Sequence, residues 1–421
     1  MTYKPIEKNI EPSLERVLEL MNPSSYTVKL EGHHLNNGVF EITKGERQYD
    51  FSSTSIILKG TQTHKEIEFE SNVIVELAKV NYSIFTLGKH ILLNNISYDE
   101  NLKHKVFSGC ISSFSTCKNI SDFDNKFHRC IIPVGENEPF NIHDFQRQYF
   151  VTPNKKSPNY ILLNIAEETY HLFNYKLGTN FYLIIDSIQH SNLNQFQKKC
   201  FNALLALGFI KGDLIHDECF IISYSDEKIV TPENILYHSM RESVKTNQGT
   251  FTANPFSVNY NIDFERDENG MIKKEIKDKL YEDIDNFSQD VFSNLTTLLF
   301  QYEKIQRATL IYVLSHIASL EIKIPNYFVA IEAISAHISA ELATEKKSLS
   351  PIKDIDLAND LIKQITTIVK KIKTDRQLMD EEFNMEILSK NINKLNAPPN
   401  ADKLSESFAI IGYTLSKEQK D

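Results

Sequence analysis

Cysteine and histidine, the residue types that most often bind metals, come closest together between positions 110 and 130. Cys110, Cys117, His128 and Cys130 could supply the sulfur and nitrogen ligands that zinc prefers. Their Cys-x6-Cys and His-x-Cys spacings match none of the compact zinc patterns, in which paired ligands are separated by about two to five residues. Buried or surface thiols explain the same residues better, so the sequence predicts no metal site.

Other sequence patterns that carry catalysis do not occur in the chain. There is no Gly-rich phosphate loop, no Gly-x-Ser-x-Gly turn around a nucleophilic serine and no His-Glu-x-x-His pair. With 13 glycines in 421 residues, few backbone segments could approach the phosphates of a nucleotide closely. We therefore predict no cofactor.

Basic residues cluster near the C-terminal end of an otherwise acidic chain. Residues 346–376 contain eight basic and four acidic residues, whereas the whole chain has a net charge of −10. Lys363, Lys370, Lys371 and Lys373 accompany an amphipathic helical pattern and are candidates for an RNA-facing surface. A solvated helix face explains the same lysines. The overall acidity argues against a chain whose whole surface binds phosphate.

The front of the chain has the pattern of a β-rich domain. A chain of 421 residues needs two or three domains, because single hydrophobic cores stop growing near ~250–300 residues. In residues 1–150, apolar and polar residues alternate with period two, which predicts an antiparallel sandwich or open barrel. Residues 151–268 mix strands with one helix, and they form either a separate region or a continuation of the first sheet.

The back of the chain, residues 269–421, has a helical pattern. No glycine occurs between Gly270 and Gly412, and apolar stripes recur at helical spacing. One of them contains Ala358, Leu361, Ile365, Ile368 and Ile372, and we expect such stripes to face the core of an all-α bundle. The predicted fold class is therefore α+β, with a β-rich half followed by helices.

The sequence predicts a cytoplasmic protein, and it predicts that a helix begins near Ser416. Five cysteines, an odd and small number, indicate reduced thiols, and no apolar run is long enough for a membrane span. Ser416 and Gln419 fit a capping box, which predicts that a helix starts there and continues into sequence beyond Asp421. We expect neither a membrane partner nor a secretion signal.

Three segments of the helical part resemble HEPN-domain proteins. Residues 324–337, IPNYFVAIEAISAH, resemble the central HEPN helix, and residues 394–404 and 408–418 resemble the segment that leads into the HEPN signature helix. A β-rich front half before such a domain is similar to the ApeA-type anti-phage defence proteins. The resemblance implies abortive infection, with the front half as the sensor of a phage-derived trigger or as a regulator.

The resemblance also implies metal-independent RNA cleavage by a homodimer that forms through the helical bundle. Family members carry an arginine and a histidine separated by four to six residues; the histidine handles the proton of the 2′-hydroxyl, and the arginine stabilises the charge on the phosphate. No arginine here has a histidine at that spacing, so we predict that the chain as given is inactive. Glu332 is a candidate support residue, although a surface or core role explains it as well. The alternative is a non-catalytic binding or scaffold protein.

Overall fold

The computed structural model resolves two compact units, Met1–Gln306 and Arg307–Asp421. It describes residues 9–31, 36–45, 48–53, 69–99, 104–136, 148–149, 159–211, 214, 218–239, 288–315, 319–341, 351–377, 379 and 383–397. The first is the β-rich unit, and the second is the helical unit. The predicted α+β class is confirmed, because a large antiparallel sheet fills the first unit and most helices follow it.

The strands of the β-rich unit form a single antiparallel sheet. In chain order they are β1 Ser24–Lys29, β2 Val39–Lys44, β3 Tyr49–Ser53, β4 Ile74–Ala78, β5 Ser83–Leu87, β6 Ile91–Asp99, β7 His104–Ile111, β8 Phe114–Ser115, β9 Phe127–Gly135, β10 Gln148–Tyr149, β11 Asn159–Ile165, β12 Glu168–Leu177, β13 Asn180–Ser187, β14 Glu218–Tyr224 and β15 Ile235–Ser239. Their order across the sheet is β10-β11-β12-β13-β9-β14-β15-β8-β5-β4-β1-β2-β3-β7-β6.

Residues 1–150 and 151–268 contribute strands to this same sheet. Strand β9 from the first region lies between β13 and β14 from the second, with Ile131 opposite both Ile184 and Phe220. The boundary expected at 268/269 lies outside the described residues. The compact units divide later, between Gln306 and Arg307, because the first helix after residue 268 that the structure describes packs on strand β11.

The sheet curls back on itself. Tyr49 on β3 lies with its ring centroid 4.9 Å from that of Phe114 on β8 and 4.7 Å from that of Tyr237 on β15, although several strands separate them in the sheet order. Lys44 on β2 likewise reaches Glu218 on β14, with 3.2 Å between Nζ and Oε2. The inner face therefore encloses a core of alternating side chains, as the period-two pattern requires.

Two helices cover opposite faces of the central strand β9. Helix α1, Glu11–Met21, buries Leu14, Val17 and Leu20 in the core on one face. Helix α2, Leu193–Lys211, lies on the other face, where Phe196 stacks on His128 with 5.1 Å between ring centroids. Residues 128–132 of β9 are consequently all buried.

Helix α3, Gln289–Gln301, satisfies the backbone of β11 beyond the point where the two-residue edge strand β10 pairs with it. Three of its side chains accept hydrogen bonds from amides of β11 and the residue after it: Gln289 from Leu162 at 2.6 Å, Ser293 from Asn164 at 3.0 Å and Thr297 from Ala166 at 3.3 Å. Positions four apart on a helix rise about 6 Å, and positions two apart on a strand rise about 6.7 Å, so the two series stay in register. The edge is thereby protected from pairing with another strand.

The helical unit contains α4 Glu303–Leu314, whose first residues precede the boundary, α5 Leu320–Glu341, α6 Ile355–Asp375 and α7 Met385–Ile392. Asp354 caps α6 by accepting hydrogen bonds from the amides of Asp356 and Leu357, and Asn384 caps α7 by accepting one from the amide of Ile387. Helix α6 packs on α7. Among the helices that the structure describes, none combines the length and the apolar character needed to cross a membrane.

Candidate functional site

The structure separates the cysteines and the histidine that the sequence brought together. His128 is buried, and its Nε2 donates to the Phe123 carbonyl oxygen at 2.8 Å, which leaves Nδ1 to accept from the Ser191 hydroxyl at 2.9 Å. Burial lowers the pKa of His128 to about 4. Both ring nitrogens are therefore engaged, and within the described ranges no group of three or more potential ligands could hold a metal.

Two other members of that set, Cys117 and Cys130, have separate surroundings, and Cys110 is buried on β7. Cys117 lies beside the Ser115 hydroxyl at 3.2 Å, and its thiol donates to the Asn119 carbonyl at 3.3 Å. Cys130 instead contacts Cys200 on α2 and Cys219 on β14 beneath the helix. Burial raises the pKa of Cys130 well above its ordinary value, which disfavours the thiolate form that reacts as a nucleophile.

The most buried charges of the β-rich unit form a structural network. Arg129 and Asp186 are fully buried and make two parallel hydrogen bonds, Nε to Oδ1 at 2.8 Å and Nη2 to Oδ2 at 3.0 Å. Arg129 Nη1 also donates to the Asn9 carbonyl at 2.7 Å and to Ser13 Oγ at 2.9 Å. Ser13 in turn lies 2.6 Å from the Tyr224 hydroxyl. These hydrogen bonds hold helix α1 against the sheet.

Glu332, the candidate support residue, is exposed on α5. His337 on the same helix is buried, and at about 100° per residue the two side chains leave the helix about 140° apart. The structure therefore does not bring them together as one site. Arg307 begins the helical unit, whereas His316 lies outside the described residues.

The four candidate RNA-facing lysines surround α6 instead of sharing one face. Lys363 and Lys370, seven residues apart, lie on one face, and both are exposed. Lys371 is also exposed but lies about 100° round the helix, and Lys373 is half-buried on the side that packs within the unit. Lys363 and Lys370 are the pair that the structure leaves together.

The opposite side of α6 carries an exposed row of apolar side chains. Leu357 is 58% exposed, Leu361 42%, Ile368 57% and Ile372 42%. We call these four residues the apolar stripe. The sequence placed three of them in the bundle core, and that expectation is wrong for the described structure, in which Ala358 alone of the predicted set is fully buried. The face of α6 that packs within the unit is the one beside the stripe, where Ala358 lies, and the stripe itself is exposed to solvent.

Charges are segregated along the same helix. Residues 354–364 contain three aspartates and one lysine, and residues 365–375 contain three lysines and one aspartate. Asp360 and Lys371, both exposed, flank the apolar stripe on one side, because eleven residues make about three full turns. Asp360 was not among the residues predicted from the sequence to have a role. The signal that could have found it is this sign change from the first half of the helix to the second.

The stripe and its charged flank are suited to binding a protein surface. Complete burial of a leucine or isoleucine contributes ~1.5–3 kcal/mol, and side chains that are about half exposed retain roughly half of that for a partner. Contiguous apolar surface bordered by charges is typical of protein interaction sites. This part of α6 is therefore the candidate functional site of the described helical unit.

The chain was compared with known proteins in three ways. No model of a protein family matches it, and neither the curated proteins nor the solved structures contain a match.

Proposed function

We propose that this chain is a two-part bacterial anti-phage defence protein, with a β-rich unit that senses the trigger or restrains the response and a helical unit that acts by associating with another protein. The proposal is supported by the segment 324–337, which carries the HEPN resemblance and lies within the single helix α5. It is also supported by the division of the chain into a sheet unit and a helical unit.

The observation that carries the proposal is the exposed apolar stripe of α6. A helical domain that worked alone would gain by turning Leu361 and Ile368 inward, since exposed aliphatic side chains contribute little to its stability. Their exposure fits an effector unit that becomes complete on contact with a partner. RNA is proposed as a bound ligand and not as a substrate, because the chain carries no arginine and histidine at the HEPN spacing, and Lys363 with Lys370 is the pair that fits a phosphate-facing role.

The direct test is phage protection in bacteria that produce the whole chain. We expect fewer plaques with some members of a phage panel and early growth arrest of infected cultures. The double variant Leu361→Lys/Ile368→Lys should lose protection, whereas Asn359→Lys, on the far side of the same helix, should retain it. Full infection by every phage, with wild-type protein folded and abundant, would contradict the proposal.

A second candidate function is a non-catalytic binding or scaffold protein. The observation that favours it is the sequence itself, in which no arginine precedes a histidine at the HEPN spacing. The purified chain should then leave RNA intact, with or without a chelator. Cleavage that co-purifies with the chain and survives chelation would exclude the scaffold function.

A further inference from the structure

The apolar stripe of α6 is symmetric about its own midpoint. Leu357 and Ile372 lie equally far from that midpoint, and so do Leu361 and Ile368. A two-fold axis at the midpoint would therefore bring Leu357 against the partner copy's Ile372 and Leu361 against its Ile368. This contact continues over the roughly 22 Å that separates the ends of the stripe. A second copy of this chain therefore presents a surface that matches the stripe.

The charges decide between parallel and antiparallel pairing. Antiparallel pairing sets the half with three aspartates and one lysine against the half with three lysines and one aspartate. Parallel pairing sets like halves side by side, where charges of one sign repel. The helix dipoles also favour the antiparallel arrangement, because each positive N-terminus lies beside a negative C-terminus.

The flanking residues Asp360 and Lys371 give the antiparallel pair a specific contact. A two-fold axis that relates antiparallel helices places the Asp360 flank of both helices on the same side of the pair. Asp360 is then opposite residue 369 of the second helix, and Lys371 lies two residues, about 3 Å, further along. The contact forms twice. In the parallel pair the same flanks lie on opposite sides and cannot meet.

We propose that α6 pairs antiparallel with α6 of a second copy of this chain, through the apolar stripe and two Asp360–Lys371 ion pairs. The proposal rests on the proposed function for the role of the helical unit as a binding module, and it names the partner. One helix pair buries less than the ~1,600 Å² of a standard interface, so the dimer is reversible and depends on concentration.

Oxidative cross-linking of the whole chain tests the orientation. Leu357→Cys and Ile372→Cys variants, mixed and treated with oxidised glutathione, should form a disulfide-linked dimer. Leu357→Cys alone should not, because its two copies are about 22 Å apart. The wild-type chain controls for its own cysteines, of which Cys110, Cys130, Cys200 and Cys219 are buried. A cross-link of Leu357→Cys to itself, without one in the mixture, would overturn the antiparallel arrangement.

Charge reversal tests the ion pairs. By sedimentation, Asp360→Lys or Lys371→Asp alone should weaken self-association by about tenfold, because each loses two attractions and gains two repulsions. The double variant should regain most of that affinity, whereas Asn359→Lys should have no effect. Both positions are exposed, so folding should survive, and circular dichroism checks this. A double variant weaker than either single variant would refute the pairing.

The outcomes separate this inference from the proposed function. A chain that protects against phage but sediments as a monomer at every concentration would overturn the inference and leave the proposed function standing. A chain that dimerises with the expected cross-link but protects against no phage would support the inference and overturn the proposed function.

Discussion

The buried pair Arg129–Asp186 permits a quantitative prediction about what holds the β-rich unit together. We consider Arg129→Met, Asp186→Leu and the double variant with both changes. Each single change leaves one charge fully buried without its counter-charge, which costs about 3–5 kcal/mol. The double change removes both charges and replaces them with apolar side chains of similar size.

The double variant should be far less destabilised than the sum of the single variants. Replacing a buried ion pair by apolar residues is close to neutral in itself. Arg129 also donates to the Asn9 carbonyl, and losing that partner costs about 1–3 kcal/mol. We therefore expect about 1–3 kcal/mol for the double variant against a sum of about 6–10 kcal/mol, which gives a coupling energy of at least about 3 kcal/mol.

Hydrogen exchange of the β9 amides is the appropriate assay, because the chain has two units and its global unfolding need not be two-state. A coupling of about 3 kcal/mol corresponds to roughly two orders of magnitude in the exchange rate of globally protected amides. Glu19→Ala breaks the exposed Arg16–Glu19 pair on α1 and should change stability by less than about 1 kcal/mol. If the single costs simply added in the double variant, the reasoning from buried charge would be refuted.

The other predictions concern acid stability, the sheet edge and RNA. The pKa of His128 in the folded protein, about 4, lies below its value in the unfolded chain. The stability that this difference contributes is therefore present above pH ~6.5 and is lost as the pH falls towards 4. From pH 7 to 5 the opening free energy of the β9 amides should therefore fall by about 2 kcal/mol more in the wild type than in His128→Gln, measured by hydrogen exchange at each pH and corrected for the intrinsic exchange rate. Ser293→Ala should cost about 1–2 kcal/mol, seen as faster exchange of the β11 amides, whereas Val291→Ala, on an exposed position of the same helix, should cost less than about 0.5 kcal/mol. If the helical unit binds RNA, replacing Lys363 and Lys370 together by alanine should reduce the magnitude of the slope of log affinity against log salt concentration by up to about 2. An unchanged slope would show that this pair makes no phosphate contacts.

Much of the secondary structure could be predicted from the sequence. Period-two alternation predicted antiparallel strands in the front half, and the single helix predicted among the strands of residues 151–268 is helix α2. The side chain of Asn192 caps this helix by accepting from the amides of residues 194 and 195. These features are local, because periodicity and capping depend on residues within a few positions of one another.

The candidate site could be predicted only in part. The helix that carries Lys363 and Lys370 was identified from its pattern, but its apolar residues were assigned to a core. A stripe at helical spacing has the same appearance whether it faces a neighbour or solvent. The packing of α6 in the folded unit shows which of its apolar side chains are covered and which are exposed.

What the sequence by itself determined is the α+β class, the change from strands to helices along the chain, and the opposite charges of the two halves of α6. Tertiary structure decided the rest. Arg129 and Asp186 are 57 positions apart, and His128 and Ser191 are 63 apart, so no local pattern pairs them. The exposure of Leu361 and Ile368 was decided in the same way. Burial depends on which elements meet after the chain has folded, and a residue's neighbours in sequence do not contain that information.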